Sequence, residues 1–463
     1  MRNNISINIG SLILINKIDS KYNLFDSVLN GLTGKTKHLK ESVKAFIFNR
    51  LGKCVSINRL TEIYPRETFE YLGFKDKPKE RTLYRDLERI GNKSKFILEK
   101  YQQLLKRNGF VSKEQFIDFS SSYFEGNNSE LGELGYSRDH EPGKKQLTWG
   151  IATGINGIPT ALTIQKGNVC DKTHFNFMLN TAKKVLNENS LLIFDCGGNS
   201  KANKEKIVSL GYNYLTLKQK QRGPYQKYLK IFEKSKKQRF TMNGRGYSCV
   251  KVREGSEVRH IYFCKKLKKD QLRKREKRFR RELEKNDKVL RKIKKGKEIA
   301  KYLSREGEII AKGELQQTLA KIENPFITKL EGYFILESSI DENPEKILEL
   351  YKDRDKAEKL IRDMKEGTEL RPIRHWSKLA IVGYLLIVFL TNCLIKLTHF
   401  LSKNSVVKNL KLLKKYLNNL TVTIVYDRSV FKFSVLSNIS GEIKAILGDY
   451  IDKYEDKSLK LRW

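Results

Sequence analysis

The spacing of apolar residues divides the chain into a helical first part and a mixed second part. Residues 39–51 (LKESVKAFIFNRL) have apolar positions about three and four apart, which predicts an amphipathic helix. Two more helices are predicted, over SINRLTEI and from Arg81 onwards, where Arg81, Arg85 and Arg89 follow at intervals of four. Residues 1–112 are therefore predicted to form a helical DNA-binding region similar to a helix-turn-helix unit. A helical packing module with solvated charges is an equally good interpretation.

From residue 113 the pattern changes to short strands. QFIDFSSSYFEG, QLTWGIATG and GIPTALTIQ are predicted strands, with a turn at Asn156-Gly157 between the last two. A helix follows in DKTHFNFMLNTAKKVL, with Asp171 or Thr173 as the expected N-cap. The strand LLIFD, another helix and the strand YNYLTLK complete the series. This order, three strands and then helix, strand, helix, strand, predicts an α/β fold with an RNase H-like core.

After Lys220 the order breaks up into further predicted strands and a strongly basic segment. Residues 265–301 contain 19 Lys/Arg and 6 Asp/Glu, a local net charge of +13, and their apolar residues follow a helical seam. The segment is predicted to be a DNA-tracking surface, and a solvated helical face is the alternative. The predicted domains are a helical region at 1–112, an RNase H-like catalytic core at 113–220 and 336–405, a basic insertion subdomain with strands and helices at 221–335, and a C-terminal tail region at 406–463.

One apolar run is long enough to compare with a membrane span. LAIVGYLLIVFLTNCLI, residues 379–395, falls near the lower length limit for such a span. It stands alone between charged helices and contains Asn392 and Cys393, so we expect a helix buried in the core. The six cysteines include no C-x-x-C pair, which argues against a zinc site or a disulfide framework and favours a reducing cytosol.

The charge balance points to a polyanionic partner. The chain has 92 Lys+Arg against 53 Asp+Glu, a formal net charge of +39. Such an excess is typical of proteins that neutralise phosphates and release counterions on binding nucleic acid. Ribosomal proteins and cationic membrane binders share this property. The charge is therefore consistent with nucleic-acid binding or membrane binding and does not by itself distinguish between them.

Two aspartates occupy positions where a carboxylate needs a partner. Asp118 lies in the first predicted strand of the sheet, and Asp195 ends the apolar run LLIF and precedes Cys196-Gly197-Gly198. A buried carboxylate must be paired, protonated or bound to a metal. A single strand-end aspartate is more often a cap for the next helix. Two of them, in strands that this fold places side by side, favour a functional site.

A third carboxylate lies in YKDRDKAEKLIRDMK, residues 351–365, which has no Gly or Pro and is predicted to be one helix. At about 100° per residue, five residues of this run share an arc of roughly 80°. They are Tyr351, Arg354, Glu358, Arg362 and Lys365. One carboxylate among three cations suits a groove where the carboxylate holds a cation and its neighbours grip phosphates. An ion-pairing helix surface is the alternative.

At these residues the chain resembles a known family. The spacing Tyr351-x2-Arg354-x3-Glu358-x6-Lys365 is similar to the Y-R-E-K signature of the insertion-sequence transposases of the DDE superfamily, in the branch with a long insertion before the glutamate. DFSSSYFEG resembles the family's first-aspartate strand and LLIFDCGGNSKANKEKIVSLGYNYL its second-aspartate segment. The similarity covers roughly residues 30–400, including Arg374-His375-Trp376 before the long apolar helix.

The resemblance implies a DNA transposase that cleaves insertion-element ends and transfers the strands into target DNA. Asp118, Asp195 and Glu358 would be the catalytic residues and would hold two divalent ions, Mg²⁺ or Mn²⁺, since carboxylate oxygens are the ligands that Mg²⁺ prefers. Tyr351, Arg354, Arg362 and Lys365 would contact DNA, and His375 is a further candidate for a DNA contact. A homodimer would pair two terminal inverted repeats in a synaptic complex. The expected location is the cytoplasm, at the bacterial or archaeal nucleoid, with no membrane partner.

Three other functions remain consistent with the sequence. A nuclease or junction resolvase could use the same carboxylates without strand transfer. An inactive DNA-binding derivative of a transposase, or a basic RNA-binding protein, would tolerate Glu358→Gln. A membrane-anchored protein would use residues 379–395.

Overall fold

The computed structural model describes residues 4–32, 38–284, 324, 326–402 and 409–454. The chain divides into two compact units. Unit 1 consists of Met1–Tyr212 and Lys352–Trp463, and unit 2 is Asn213–Tyr351. The predicted insertion subdomain, 221–335, lies within unit 2. Both units combine helices with sheet, so the chain has a mixed α/β fold.

The strands are β1 (Ile5–Asn8), β2 (Glu114–Tyr123), β3 (Gln146–Gly154), β4 (Pro159–Lys166), β5 (Leu191–Phe194), β6 (Asn213–Leu217), β7 (Gln238–Met242), β8 (Arg245–Glu254), β9 (Glu257–Phe263), β10 (Tyr333–Ser338), β11 (Thr421–Asp427) and β12 (Val430–Ser437). The strands β2 to β9 follow the order predicted from the sequence, whereas β1, β10, β11 and β12 were not predicted.

The helices of the first part are α1 (Gly10–Tyr22), α2 (Leu24–Leu29), α3 (Leu39–Leu51), α4 (Ile57–Ile63), α5 (Arg66–Tyr71), α6 (Glu80–Asn92) and α7 (Ser94–Arg107). Those that follow are α8 (Asp171–Ala182), α9 (Lys201–Ser209), α10 (Arg222–Lys234), α11 (Lys265–Glu284), α12 (Pro344–Lys352), α13 (Asp355–Arg362), α14 (Lys378–Ser402), α15 (Leu410–Asn419) and α16 (Gly441–Leu447). The helix predicted at residues 39–51 has the predicted bounds.

The sheet strands of unit 1 that surround the candidate site have the order β4-β3-β2-β5. β3 pairs antiparallel with β2 and with β4, whereas β5 pairs parallel with β2. The predicted turn between β3 and β4 is present, and Gly157 adopts a φ of 78° there. That left-handed conformation favours glycine, because a Cβ atom would be strained in it.

The long apolar helix α14 is buried in unit 1, as expected. It is long and apolar enough to cross a membrane, and 83% of its most apolar stretch is buried inside the protein. Helix α6 crosses it closely, because a Cβ atom at Gly91 would overlap the carbonyl oxygen of Leu379 and one at Gly383 would overlap that of Leu87. Glycine at both positions lets the two backbones touch, which fixes α6 against the helix that follows the candidate site.

A separate three-stranded sheet in unit 1 joins the beginning of the chain to its last part. Its strand order is β1-β11-β12, and both pairings are antiparallel. Ile7, Val422 and Ile424 are buried in it. Two strands of this sheet, β11 and β12, therefore come from the predicted tail region, 406–463.

Unit 2 is built on the antiparallel strands β6-β10-β9-β8-β7. Its core packs α10 against these strands. The core residues are Tyr225, Tyr228, Leu229, Phe232, Val250, Ile261, Leu330 and Ile335. The first part of the predicted basic helix is α11, in which Phe279 is buried. Residues 285–301 of that prediction lie outside the described residues.

Two local predictions were wrong. The N-cap of α8 is Cys170, so Asp171 lies in the first turn of the helix and Thr173 inside it. The helix predicted over residues 351–365 is interrupted: α12 ends at Lys352, α13 begins at Asp355, and a π-helical turn spans Asp363–Gly367. No Gly or Pro marks these breaks, because they depend on contacts made elsewhere in the fold. The five residues therefore do not lie on one uninterrupted helix.

Candidate active site

The pairing of β2 with β5 brings the two aspartates together. The strands are parallel, and Ile117 of β2 lies opposite Phe194, the last residue of β5. Asp118 follows Ile117 along β2, and Asp195 follows Phe194 at the end of β5. In a parallel pair the residues that follow a matched position remain side by side. The sheet register thus places these two carboxylates at neighbouring positions, as the sequence analysis expected.

The surroundings of Asp118 favour the protonated, neutral form of its carboxyl group. Burial raises its pKa to about 7, and the nearby carboxylates of Asp195 and Glu358 act in the same direction. Arg354 and the backbone N–H of Phe119, which donates to Asp118 Oδ1 at 3.0 Å, oppose this rise. The side chain is 14% exposed, so water screens the repulsion only in part. A buried carboxylate with other carboxylates nearby favours the uptake of a cation or a proton.

Helix α13 supplies the third carboxylate and a cation. The helix packs against β2 and β3 and buries Ala357 and Leu360. Arg354 precedes the helix, and its Nη1 atom lies 3.4 Å from Asp118 Oδ2. The same guanidinium is ion-paired with Glu358, whose side chain is 51% exposed. Arg354 therefore links the glutamate to the first aspartate.

A further acidic residue borders this cluster and was not identified as part of the site from the sequence. A Cβ atom at Gly197 would be in contact with both Asp171 and Asp195, so these two carboxylates flank the glycine. Asp171 is ion-paired with Arg138, which comes from the loop between β2 and β3. The N–H of Gly197 donates to Asp195 Oδ1 at 2.9 Å. The only sequence signal for Asp171 was its position ahead of a helix, which indicated a cap.

Of the other predicted DNA-binding residues, Arg362 lies on α13 four residues after Glu358, and the rest lie outside that helix. Tyr351 is half-buried near the end of α12, and Arg362 is exposed on α13. Lys365 is buried, and its ammonium group lies 2.6 Å from Asp139. His375 packs its ring between those of Tyr84 and Tyr384, at centroid distances of 6.4 and 5.0 Å. Their roles towards DNA stay predictions.

The donor chemistry of the cluster suits a hard divalent cation, although the side chains are not arranged around one. Within the described residues no group of three or more His, Cys, Asp or Glu side chains is close enough to hold a metal ion. Asp118 and Asp195 are neighbours, while Glu358 is turned towards Arg354. Carboxylate oxygens are the ligands that Mg²⁺ and Mn²⁺ prefer. The cluster could therefore receive such ions once Glu358 turns from Arg354 towards the aspartates.

Comparison with known proteins gives a distant structural similarity. Neither a protein-family model nor a curated protein matches the chain. Among solved structures, the chain is similar to a cryo-EM structure of a piggyBac transposase synaptic complex with hairpin DNA. The alignment has 10% sequence identity and a TM-score of 0.42, and it covers 82% of this chain and 70% of the other. At this TM-score the function has to be argued from the site itself.

Proposed function

We propose that the chain is a DNA transposase that cleaves phosphodiester bonds at insertion-element ends and joins the ends to target DNA. The observation that carries the proposal is the placement of Asp118 beside Asp195, with Arg354 linking Asp118 to Glu358. These residues are separated by 77 and 163 positions along the chain. Their order, with the Y-R-E-K spacing around the glutamate, is that of the DDE transposases on an RNase H-like core.

The cluster is suited to divalent cations, and we propose two Mg²⁺ or Mn²⁺ ions held by Asp118, Asp195 and Glu358. When bound, such ions activate a water or 3′-hydroxyl and stabilise the leaving oxygen. To bind these ions, Glu358 would leave its ion pair with Arg354. Its half-exposed side chain has room to turn. Arg354 would then be available to hold a phosphate, for which a guanidinium has matching donors.

The partners follow from the charge and from the reaction. A net charge of +39 supplies the phosphate-binding capacity for both the terminal inverted repeats and the target duplex. Tyr351 and Arg362 would position the terminal phosphates. Pairing two ends implies a homodimer acting at the nucleoid in the cytoplasm.

One observation favours a second candidate. Glu358 is ion-paired with Arg354, and the three carboxylates do not surround a common point. This arrangement is also expected of an inactive DNA-binding protein derived from a transposase. A nuclease of this fold would use the same residues without joining the ends to a target.

The test is cleavage of a labelled duplex carrying the sequences that flank the gene, with Mg²⁺ or Mn²⁺, by wild type, Glu358→Gln and Asp355→Asn. Asp355 is a matched control, because it lies on the same helix, is 52% exposed and is paired with Lys359 four residues on. We expect Glu358→Gln to abolish cutting while DNA binding persists, and Asp355→Asn to cut as wild type does. Equal cutting by wild type and Glu358→Gln would refute the assignment of the third carboxylate. Binding without cutting by the wild type would establish the DNA-binding derivative, and cutting without joining would establish the nuclease.

A further inference from the structure

A cavity in unit 1 that contains none of the three carboxylates is lined by arginines and aromatic rings. Its volume is about 780 Å³. The arginines are Arg50, Arg81, Arg85, Arg371 and Arg374, against the two acidic residues Glu88 and Glu369. The rings are Tyr84, His375, Trp376 and Tyr384. This lining combines the two side-chain types that recognise the two ends of a nucleotide, since arginines bind phosphate and aromatic rings stack on bases.

The arginines of the cavity differ in how their charge is balanced. Arg371 is ion-paired with Asp139 and Arg374 with Glu125. Arg81 and Arg85 are exposed on successive turns of α6, and neither forms an ion pair with any described residue. They form a pair of guanidinium groups one helical turn apart whose charge is available to a ligand. Two such groups can both donate hydrogen bonds to one phosphate.

A third cation lies deeper in the same cavity. Arg50 is 7% exposed, and its guanidinium donates to the Tyr384 hydroxyl at 3.2 Å and to the carbonyl of Val55 at 3.3 Å. It also lies 5.1 Å from the centre of the Tyr384 ring. These acceptors are neutral, so they hold the guanidinium in place and leave its positive charge in the cavity wall. A fixed buried charge of this kind raises the attraction for an anion.

Three of the rings that line the cavity pack against one another. His375 is packed between Tyr84 and Tyr384, and burial lowers its pKa to about 4, so its ring is neutral at pH 7. The next residue, Trp376, is 69% exposed. A large indole ring held on a fixed backbone beside arginines offers a stacking surface for a base of any sequence.

The cavity is rigidly attached to the strand that carries Asp118. The N–H of Ile373 donates to the carbonyl of Tyr123 at 2.9 Å, and the N–H of Glu125 donates to the carbonyl of Ile373 at 2.9 Å. The segment that ends in His375 and Trp376 therefore continues the hydrogen bonding of β2. A ligand in the cavity would be held at a defined position relative to the carboxylate cluster, because both belong to unit 1.

We propose that this cavity binds one unpaired nucleotide of a DNA strand, with Arg81 and Arg85 on its phosphate and Trp376 against its base. The volume is within the range of about 300–1,000 Å³ that single small ligands occupy. A base must leave the double helix to enter such a cavity. The choice of DNA over a free nucleotide rests on the proposed function, since the arginines and rings recognise nucleotide chemistry from either source.

The fluorescence of Trp376 tests the proposal directly. The chain has three tryptophans: Trp149 is buried, Trp376 is exposed, and Trp463 lies outside the described residues. In a Trp463→Phe background, we would titrate hexathymidylate, thymidine monophosphate and a blunt duplex long enough to stay paired under the assay conditions. We expect hexathymidylate to quench the fluorescence and to bind more tightly than the monophosphate. The duplex is expected to leave the indole unquenched.

The double variant Arg81→Ala/Arg85→Ala identifies the phosphate contacts. We expect its affinity for hexathymidylate to fall about tenfold or more, because two charge-assisted contacts are lost. The matched control is Lys75→Ala/Lys77→Ala, which removes the same charge from an exposed loop outside the cavity. The control is expected to change affinity less than about twofold, which would separate a built site from general attraction to DNA.

Several outcomes would overturn the inference. They are an unchanged affinity of the arginine variant, equal losses in both double variants, absence of quenching, and monophosphate binding as tight as that of the hexamer, which would identify a free-nucleotide site. Cleavage measured on the same preparations separates this inference from the proposed function. Hexathymidylate binding through Arg81 and Arg85 in a wild type that cuts no DNA would support the cavity and refute the enzyme.

Discussion

Two clusters of charged side chains in unit 1 have opposite charge balances. The first combines Asp118, Asp195 and Glu358 with one cation, Arg354. The second combines one buried carboxylate, Asp139, with two cations, of which Arg371 is also paired with the exposed Glu366. Asp139 lies 2.6 Å from the Lys365 ammonium and 2.5 Å from the Arg371 guanidinium, and its side chain is 1% exposed.

The difference shows which charges are available for function. In the first cluster, the burial of Asp118 and, to a smaller extent, the neighbouring carboxylates raise the pKa of Asp118 to about 7. In the second, burial lowers the pKa of Lys365, and Asp139 opposes that shift. The first cluster lacks positive charge and is open at Glu358, as a cation site requires. The second is closed and compensated, which indicates a structural role.

The largest expected effect is on cleavage, and it falls on the first cluster alone. Asp118→Asn should slow single-turnover cutting of the end duplex by at least about 1,000-fold, because a carboxylate that holds the catalytic ions is lost. Asp139→Asn should leave the rate per folded molecule within about tenfold of wild type. A comparable loss in both variants would show that the two clusters are not separate in function.

The next effect is on stability, and it falls on the second cluster. Asp139→Asn leaves Lys365 and Arg371 without their buried carboxylate, so we expect the free energy of unfolding to fall by about 3–5 kcal/mol. Asp118→Asn, in contrast, removes a repelling charge and should leave stability unchanged or higher at pH 8. Urea unfolding monitored by circular dichroism measures both. A destabilised Asp118→Asn protein would mean that Asp118 contributes to the fold rather than to a cation site.

The smallest effect is the pH dependence of stability that Asp118 causes. Its pKa is about 7 in the folded chain against an ordinary value of 3.8, so the folded state binds more protons between these values. Stability from this group is therefore highest below pH 4 and falls as the pH rises towards 7. The fall is a few kcal/mol at most, since a tenfold difference in proton affinity corresponds to about 1.4 kcal/mol.

Subtracting the unfolding curves of Asp118→Asn from those of wild type isolates this contribution. A flat difference between pH 4 and pH 7 would contradict the coupling of the three carboxylates. Added Mg²⁺ should reduce the slope, because the ion competes with the proton for the same oxygens.

Elements set by local sequence were predicted well. The apolar spacing in residues 39–51 and the alternation in β2, β3 and β4 gave the right element types, because neighbours along the chain dominate such patterns. The same reasoning identified Asp118 and Asp195 as strand residues that would lie side by side. The parallel register of β2 and β5 was not predicted, and the structure supplies it.

The features that the sequence left undecided depend on contacts between distant residues. The break after Lys352 separates Tyr351 from Glu358 without any Gly or Pro to mark it. Lys365 was predicted to face DNA, yet it is buried against Asp139, which is 226 positions away. Local patterns contain no information about which charge meets which across such a separation. The sequence by itself determined the elements and the three carboxylates, and only the tertiary structure decided how the charges around them are paired.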